Sequence, residues 1–181
     1  MKRIVFGDRP YLVPLGVFDP VKHQSGLLVA RYVHDSASTW ADKRVLEVGT
    51  GCGLLAGVLH DCGADVTATD VSRWAVEAAR GNLVNTSVDV RRGNLFEPVA
   101  RERFDIVVTN PPYEIGRSLR PRYRSPDILA RIADQWSTVA DRLVMAFPVD
   151  SEDVLVEVGF ELRLLEVLES TGRHLGIWST H

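Results

Sequence analysis

Residues 45–53 read Val-Leu-Glu-Val-Gly-Thr-Gly-Cys-Gly, and no other stretch limits the possible folds of this chain as much. An apolar run broken only by Glu47 meets three glycines alternating with Thr50 and Cys52. Leu54, Leu55, Ala56 and Val58 then open a helical apolar pattern. This is the layout of a buried parallel strand turning sharply into a helix whose N-terminus faces a ligand. Gly49, Gly51 and Gly53 lower the steric wall, so a ligand can lie against backbone. The loop alone also suits a dinucleotide binder, or a tight turn with no ligand.

Two further elements narrow the reading. Val66-Thr67-Ala68-Thr69 predicts a second strand ending in Asp70, where a carboxylate can accept from both hydroxyls of a ribose. Phe104 to Thr109 predicts a strand covered on both faces, and its end delivers Asn110-Pro111-Pro112-Tyr113 to the same sheet edge. Pro111 biases Asn110 toward an extended backbone and Pro112 restricts Pro111, which makes a stiff platform.

The platform's chemistry suits a planar nitrogen acceptor. The Asn110 side-chain carbonyl can accept one N–H and the Pro111 backbone carbonyl another, orienting the nitrogen lone pair and favouring positive charge that develops there. Tyr113 can stack on an amide or a base. The structural alternative is a stiff Pro-Pro turn after a core strand.

Together, Val45–Gly53, Asp70 with Ser72, Ala79 three residues before Asn82, and Asn-Pro-Pro-Tyr at 110–113 resemble the class I S-adenosylmethionine-dependent methyltransferases that methylate planar nitrogen. Among these, the motifs resemble the release-factor glutamine N5-methyltransferase family. The resemblance implies an α/β, Rossmann-like fold with a seven-stranded mixed sheet in the order 3-2-1-4-5-7-6 and helices on both faces. It implies S-adenosylmethionine as cofactor, with S-adenosylhomocysteine as product. Glu47, Gly49, Thr50, Gly51, Cys52, Gly53, Asp70, Val71, Asn94 and Leu95 are the implied cofactor residues, and Asn110, Pro111, Pro112 and Tyr113 the catalytic platform. Asn82 is expected to support the packing behind the glycine loop. Where the family carries an acid that meets the adenine amine, this chain has Asn94; an amide can accept from that amine and donate to a ring nitrogen.

Substrate-side expectations fall on two segments. Val17-Phe18-Asp19-Pro20 resembles a family segment that helps close the site, with Phe18 either covering a ligand or simply packing; His23-Gln24-Ser25-Gly26 departs from the family pattern. Arg117, Arg120, Arg122 and Arg124, interleaved with Tyr123, can meet phosphate or an acidic protein surface, or form a solvated lid over 114–125. The favoured acceptor is a glutamine side-chain amide of a protein; the resemblance implies that the family's shorter members work with a small activating partner protein, so either such a partner supplies recognition here or the arginine segment does so locally. An exocyclic amine of adenine or guanine in RNA or DNA, a small molecule, and a cofactor-binding protein without transfer stay open.

At 181 residues, 45% hydrophobic and 25% charged, the chain has room for one domain: an extension with an opening helix over 1–36 and a catalytic core over 44–181. A formal charge of −3 gives no global reason to expect nucleic acid. Met1-Lys2-Arg3 leads into only three apolar residues before Gly7, so neither a signal peptide nor a membrane span is read. A disulfide between Cys52 and Cys62 would distort the glycine turn, which points to a reduced, cytoplasmic protein. The five histidines are too dispersed to suggest a metal site.

Elsewhere, 4–6 and 11–13 predict short strands around a Gly7–Pro10 turn. Leu27 to about His34 predicts a helix, Ser72 a helix cap, and 88–90 a strand. Leu143–Phe147 predicts a fifth core strand, Ser151 to Val158 a helix, and 160–168 with 175–179 an antiparallel pair.

Overall fold

The computed structural model describes residues 1–112, 125–170 and 173–181. The chain opens with an antiparallel hairpin, β1 (Lys2–Phe6) against β2 (Arg9–Val13). Irregular chain leads to α1 (Ser25–Asp35). Alternation follows: β3 (Arg44–Val48), α2 (Leu54–Asp61), β4 (Asp65–Asp70), α3 (Arg73–Asn82), β5 (Asp89–Arg92) and β6 (Phe104–Thr109). After α4 (Ser125–Gln135) come β7 (Ala140–Pro148), α5 (Glu152–Glu157), β8 (Arg163–Ser170) and β9 (Arg173–Ser179).

Strands β3 to β9 form one sheet in the order β5-β4-β3-β6-β7-β9-β8, which is the expected 3-2-1-4-5-7-6. β3 lies parallel to β4 and β6, and β9 runs antiparallel to both β7 and β8. The strand period of two divides the core. Val45, Val66, Ala68, Ile106 and Val108 face one layer, packed by the hairpin, α1, α2 and α3. Leu46, Val48, Val107, Leu143 and Met145 face the other, against Leu129 and Ile132 of α4 and Leu155 of α5. The chain reverses sheet direction between β4 and β6, on either side of β3, so the carboxyl ends of these strands flank a crevice where α/β sheets bind ligands.

Several boundaries differ from the sequence expectations. Arg9 and Pro10 belong to β2, not to the turn, which contracts to Gly7 and Asp8. The opening helix starts two residues early, where Gly26 sits against Pro20 so closely that a Cβ would collide with it. β5 runs two residues beyond 90, and β7 begins at Ala140 because Ala140 is paired with Phe104. Phe160 is not in a strand. Gly159 takes φ 90°, and the Phe160 N–H donates back to the Leu155 carbonyl at 3.0 Å, a helix C-terminal motif that buries the ring. The strand therefore begins at Arg163 and the antiparallel pair extends to Ser170 and Arg173.

The hairpin is fixed by Tyr11, fully buried beside Gly57 of α2. Its hydroxyl has no hydrogen-bond partner among the described residues, and burial pushes its ionisation well above the usual tyrosine range. A Cβ on Gly57 would overlap that hydroxyl. Gly57→Ala is therefore expected to destabilise by about 1–2 kcal/mol despite the better helix propensity of alanine. Tyr11→Phe removes the unsatisfied hydroxyl and should stabilise by about 1 kcal/mol. Denaturant titration of the two single variants and the double checks both, with Tyr11→Phe expected to relieve the Gly57→Ala penalty.

Candidate active site

The turn after β3 uses its glycines in two ways. Gly49, Gly51 and Gly53 all have positive φ, at 83°, 58° and 83°, a region that costs other residues strain. At Gly49 and Gly51 a Cβ would meet nothing within 4 Å, so this backbone faces open space. At Gly53 a Cβ would meet Leu83 at 2.9 Å and Ala79 at 3.1 Å, so the third glycine lets α3 approach the loop.

The loop is bound from behind. The N–H groups of Gly49 and Thr50 donate to the Thr69 carbonyl at 2.8 and 3.0 Å. Asn82, at the end of α3, donates through Nδ2 to the carbonyls of Cys52 (2.8 Å) and Leu12 (2.9 Å), while the Leu12 N–H donates to its Oδ1 at 2.8 Å. One amide thus supports the loop, as expected, and also ties it to the hairpin, which the sequence did not indicate.

Two carboxyl groups stand at this edge. Asp70 accepts from the Gly51 N–H through Oδ2 at 3.0 Å and from the Ser72 N–H through Oδ1 at 2.8 Å, and burial raises its pKa. Ser72 caps α3, accepting from Ala75. Glu47 is buried with Thr50, whose hydroxyl donates to Oε2 at 2.6 Å. Burial pushes Glu47 up to about 7; the Thr50 and Ala56 hydrogen bonds oppose this and the Asp70 charge adds to it. Cys52 is buried and its thiol is raised to about 11, so it packs as a neutral group. Both cysteines are free.

On the far side of β3, the buried Thr109 hydroxyl donates to the Val48 carbonyl at 2.9 Å and fixes the end of β6 against the loop. Asn110 follows. Its Nδ2 donates to the Ser25 hydroxyl of α1 at 3.4 Å, and its buried Oδ1 has no hydrogen-bond partner among the described residues. Pro111 is buried and Pro112 exposed. Sequence reasoning missed Ser25, which only the fold brings to Asn110.

Around this centre the remaining expected residues separate. Phe18 is 46% exposed and stacks on His23, with ring centroids 4.8 Å apart. Its segment is attached to the site because Gly26, next to Ser25, packs on Pro20. Val71 is exposed beside Asp70, and Leu95 takes φ 50° with its carbonyl accepting from Thr69. The Asn94 amide meets Arg131 and Glu97. Phe96 is core. Tyr113, Arg117, Arg120, Arg122, Tyr123 and Arg124 lie outside the described residues. Among those described, no group of acidic, histidine and cysteine side chains suits a metal ion, and no helix is long and apolar enough to cross a membrane.

This chain is similar to release factor glutamine methyltransferase of Agrobacterium fabrum, 35% identical over 144 residues that cover 72% of this chain and 50% of the relative. It is 42% identical over 145 residues to ribosomal protein uL3 glutamine methyltransferase of Bradyrhizobium diazoefficiens, covering 72% of this chain and 46% of that one. The chain thus spans about half the length of the curated relatives it matches. Among solved structures, the E. cuniculi Mtq2–Trm112 complex, responsible for methylation of the eRF1 translation termination factor, superposes with a TM-score of 0.66 at 23% identity. That match covers 90% of this chain and 96% of the other. The glycine turn, Asp70 and the Asn110 platform all lie within residues 16–128, more than half of the chain, and over those residues it matches the methyltransferase small domain model, so the chain belongs to that family.

Proposed function

We propose that this chain is an S-adenosylmethionine-dependent N-methyltransferase whose acceptor is a glutamine side-chain amide in a protein. The observation that carries the reading is the buried Oδ1 of Asn110 at the rim of the crevice, which has no hydrogen-bond partner among the described residues. A buried oxygen without a donor costs about 1–3 kcal/mol; the Tyr11 hydroxyl bears that cost inside the core, whereas Asn110 stands at the carboxyl end of β6, where a ligand can complete the hydrogen bond.

The residues fit the cofactor. Gly49 and Gly51 leave backbone open to its amino-acid and ribose portion, buried Glu47 provides negative charge for an ammonium, and Asp70 retains acceptor capacity for ribose hydroxyls beyond the backbone N–H groups it already accepts. When bound, S-adenosylmethionine supplies a methyl group on a sulfonium, an electrophile that needs only a correctly directed lone pair.

Directing that lone pair is the work of the platform. An amide nitrogen is planar and its lone pair is delocalised into its own carbonyl. By accepting one N–H, Asn110 Oδ1 fixes the rotation of the amide and favours the positive charge that develops on nitrogen; the Pro111 carbonyl is assigned the second N–H. The extra proton leaves to solvent once the nitrogen has been alkylated, so no strong base is required.

Support for a protein amide comes from the two glutamine methyltransferases the chain resembles and from its net negative charge. A partner protein that assists recognition of the acceptor is part of this reading, supported by the superposition on the E. cuniculi Mtq2–Trm112 complex. The test is incubation of the purified chain with methyl-labelled cofactor and extract of its own cells, followed by parallel protease and nuclease treatment. Label on a protein, resistant to nuclease and mapping to a glutamine side chain, is the expected result; label released by nuclease would assign the acceptor to nucleic acid instead.

Glu47 makes cofactor affinity pH-dependent. Pairing with an ammonium requires its charged form, so below about pH 7 binding must first displace a proton. Affinity for S-adenosylhomocysteine should be flat above about pH 8 and fall by up to roughly tenfold per unit below 7, whereas Glu47→Gln should bind weakly with no such slope. The free protein shows the opposite trend. A carboxyl raised from 4.5 to about 7 holds more protons folded than unfolded across that window, so its contribution to stability is present below it and lost as pH climbs through it. Calorimetry and thermal melts across pH 5–9 read both.

A further inference from the structure

Asn94 is held from two sides, and the hold decides which way its amide faces. The turn that carries it is bound to the end of β4: the Gly93 N–H donates to the Asp70 carbonyl at 3.1 Å and the Thr69 hydroxyl to the Leu95 carbonyl at 3.2 Å. Under the proposed cofactor reading, Asn94 is the residue expected to meet the adenine. Arg131 of α4 donates through Nη1 to Asn94 Oδ1 at 3.3 Å, and Asn94 Nδ2 donates to Glu97 Oε1 at 3.3 Å.

A guanidinium can only donate and a carboxylate can only accept. Turning the amide over would therefore set donor against donor at Arg131 and acceptor against acceptor at Glu97, losing both contacts. An amide has two N–H bonds and an oxygen with two lone pairs; one of each is used here. What remains is one acceptor beside one donor, in a fixed order. Adenine presents an amine N–H beside a ring-nitrogen acceptor and matches that order. Hypoxanthine presents a carbonyl beside a protonated ring nitrogen and needs the amide reversed.

We infer that Arg131 and Glu97 are positioning residues that lock the Asn94 amide so that the site selects a 6-aminopurine nucleoside over its 6-oxo counterpart. The inference rests on the proposed cofactor reading. It differs from a simple adenine contact because selectivity is located in two side chains that need not touch the base.

The test compares calorimetric affinities for S-adenosyl-L-homocysteine and S-inosyl-L-homocysteine in the unaltered chain, Arg131→Met and Glu97→Gln. The unaltered chain should favour the adenine compound by about tenfold or more. In each variant the ratio should fall, because only one of the two contacts still opposes reversal of the amide; the change should come chiefly from tighter binding of the inosine compound, while adenine affinity changes less than about threefold. A general loss of structure would weaken both compounds together and keep the ratio, which would overturn the lock. Glu97 is exposed, so Glu97→Gln keeps the test decisive if Arg131→Met does not fold. A ratio near one in the unaltered chain, with both compounds bound, would refute the lock and leave the cofactor reading intact. Binding of neither would refute the cofactor reading itself, and the lock with it.

Discussion

Asn110→Ala is expected to lower turnover by about two to three orders of magnitude while leaving affinity for S-adenosylhomocysteine within about threefold. The reasoning is geometric. Asn110 stands beside the glycine turn at the neighbouring strand end, but none of its side-chain hydrogen bonds among the described residues reaches that turn: its Nδ2 contact to Ser25 is a long one at 3.4 Å, and its Oδ1 has no partner among those residues. Truncation removes an acceptor that no described residue uses, so melting temperature should hardly move. Loss of the Ser25 contact is expected to cost no more than about 1 kcal/mol. Single-turnover rates with labelled cofactor, beside calorimetric binding, separate the alternatives. A parallel fall in binding and turnover would mean that Asn110 supports the cofactor crevice and does not orient the acceptor nitrogen.

Asp70→Ala should act on the other half of the site, weakening cofactor affinity by about a hundredfold or more. Its carboxylate holds the Gly51 N–H and the Ser72 N–H at 3.0 and 2.8 Å, so it shapes the loop as well as offering acceptors to a ribose. Losing both charge-assisted bonds should also cost about 1–3 kcal/mol of stability. Asp70→Asn is the sharper variant. Its amide NH2 must face one of two backbone donors, so neutral substitution is expected to be nearly as damaging as truncation. If Asp70→Asn bound cofactor normally, the carboxylate's role would be electrostatic at a distance and the paired N–H geometry incidental.

The crevice was legible in the sequence because its parts follow local rules. A strand run, alternating glycines, an acid at the end of the next strand and Asn-Pro-Pro after a later one are contiguous signals, and parallel pairing of β3 with β4 and β6 brings them to one edge. What escaped detection depends on contacts between distant segments. Ser25 lies 85 residues from Asn110, and nothing in Gln24-Ser25-Gly26 announces the meeting. Arg131 is one of many arginines on polar faces, and only the docking of α4 beside the turn after β5 singles it out for Asn94. Asn82 was partly legible: its support of the loop was expected, its pairing with both backbone groups of Leu12 was not. Phe160 misled because an apolar residue after a glycine reads as a strand start, whereas a helix end can bury the same ring.

Titration with S-adenosylmethionine, S-adenosylhomocysteine and a nicotinamide dinucleotide at pH 8, where Glu47 is charged, most directly tests the assignment of the crevice. The first two should bind at one site with comparable affinity, weaken together in Asp70→Ala, and leave no detectable heat for the dinucleotide. Selective binding of the nicotinamide dinucleotide, or S-adenosylhomocysteine binding that is indifferent to Asp70, would contradict it.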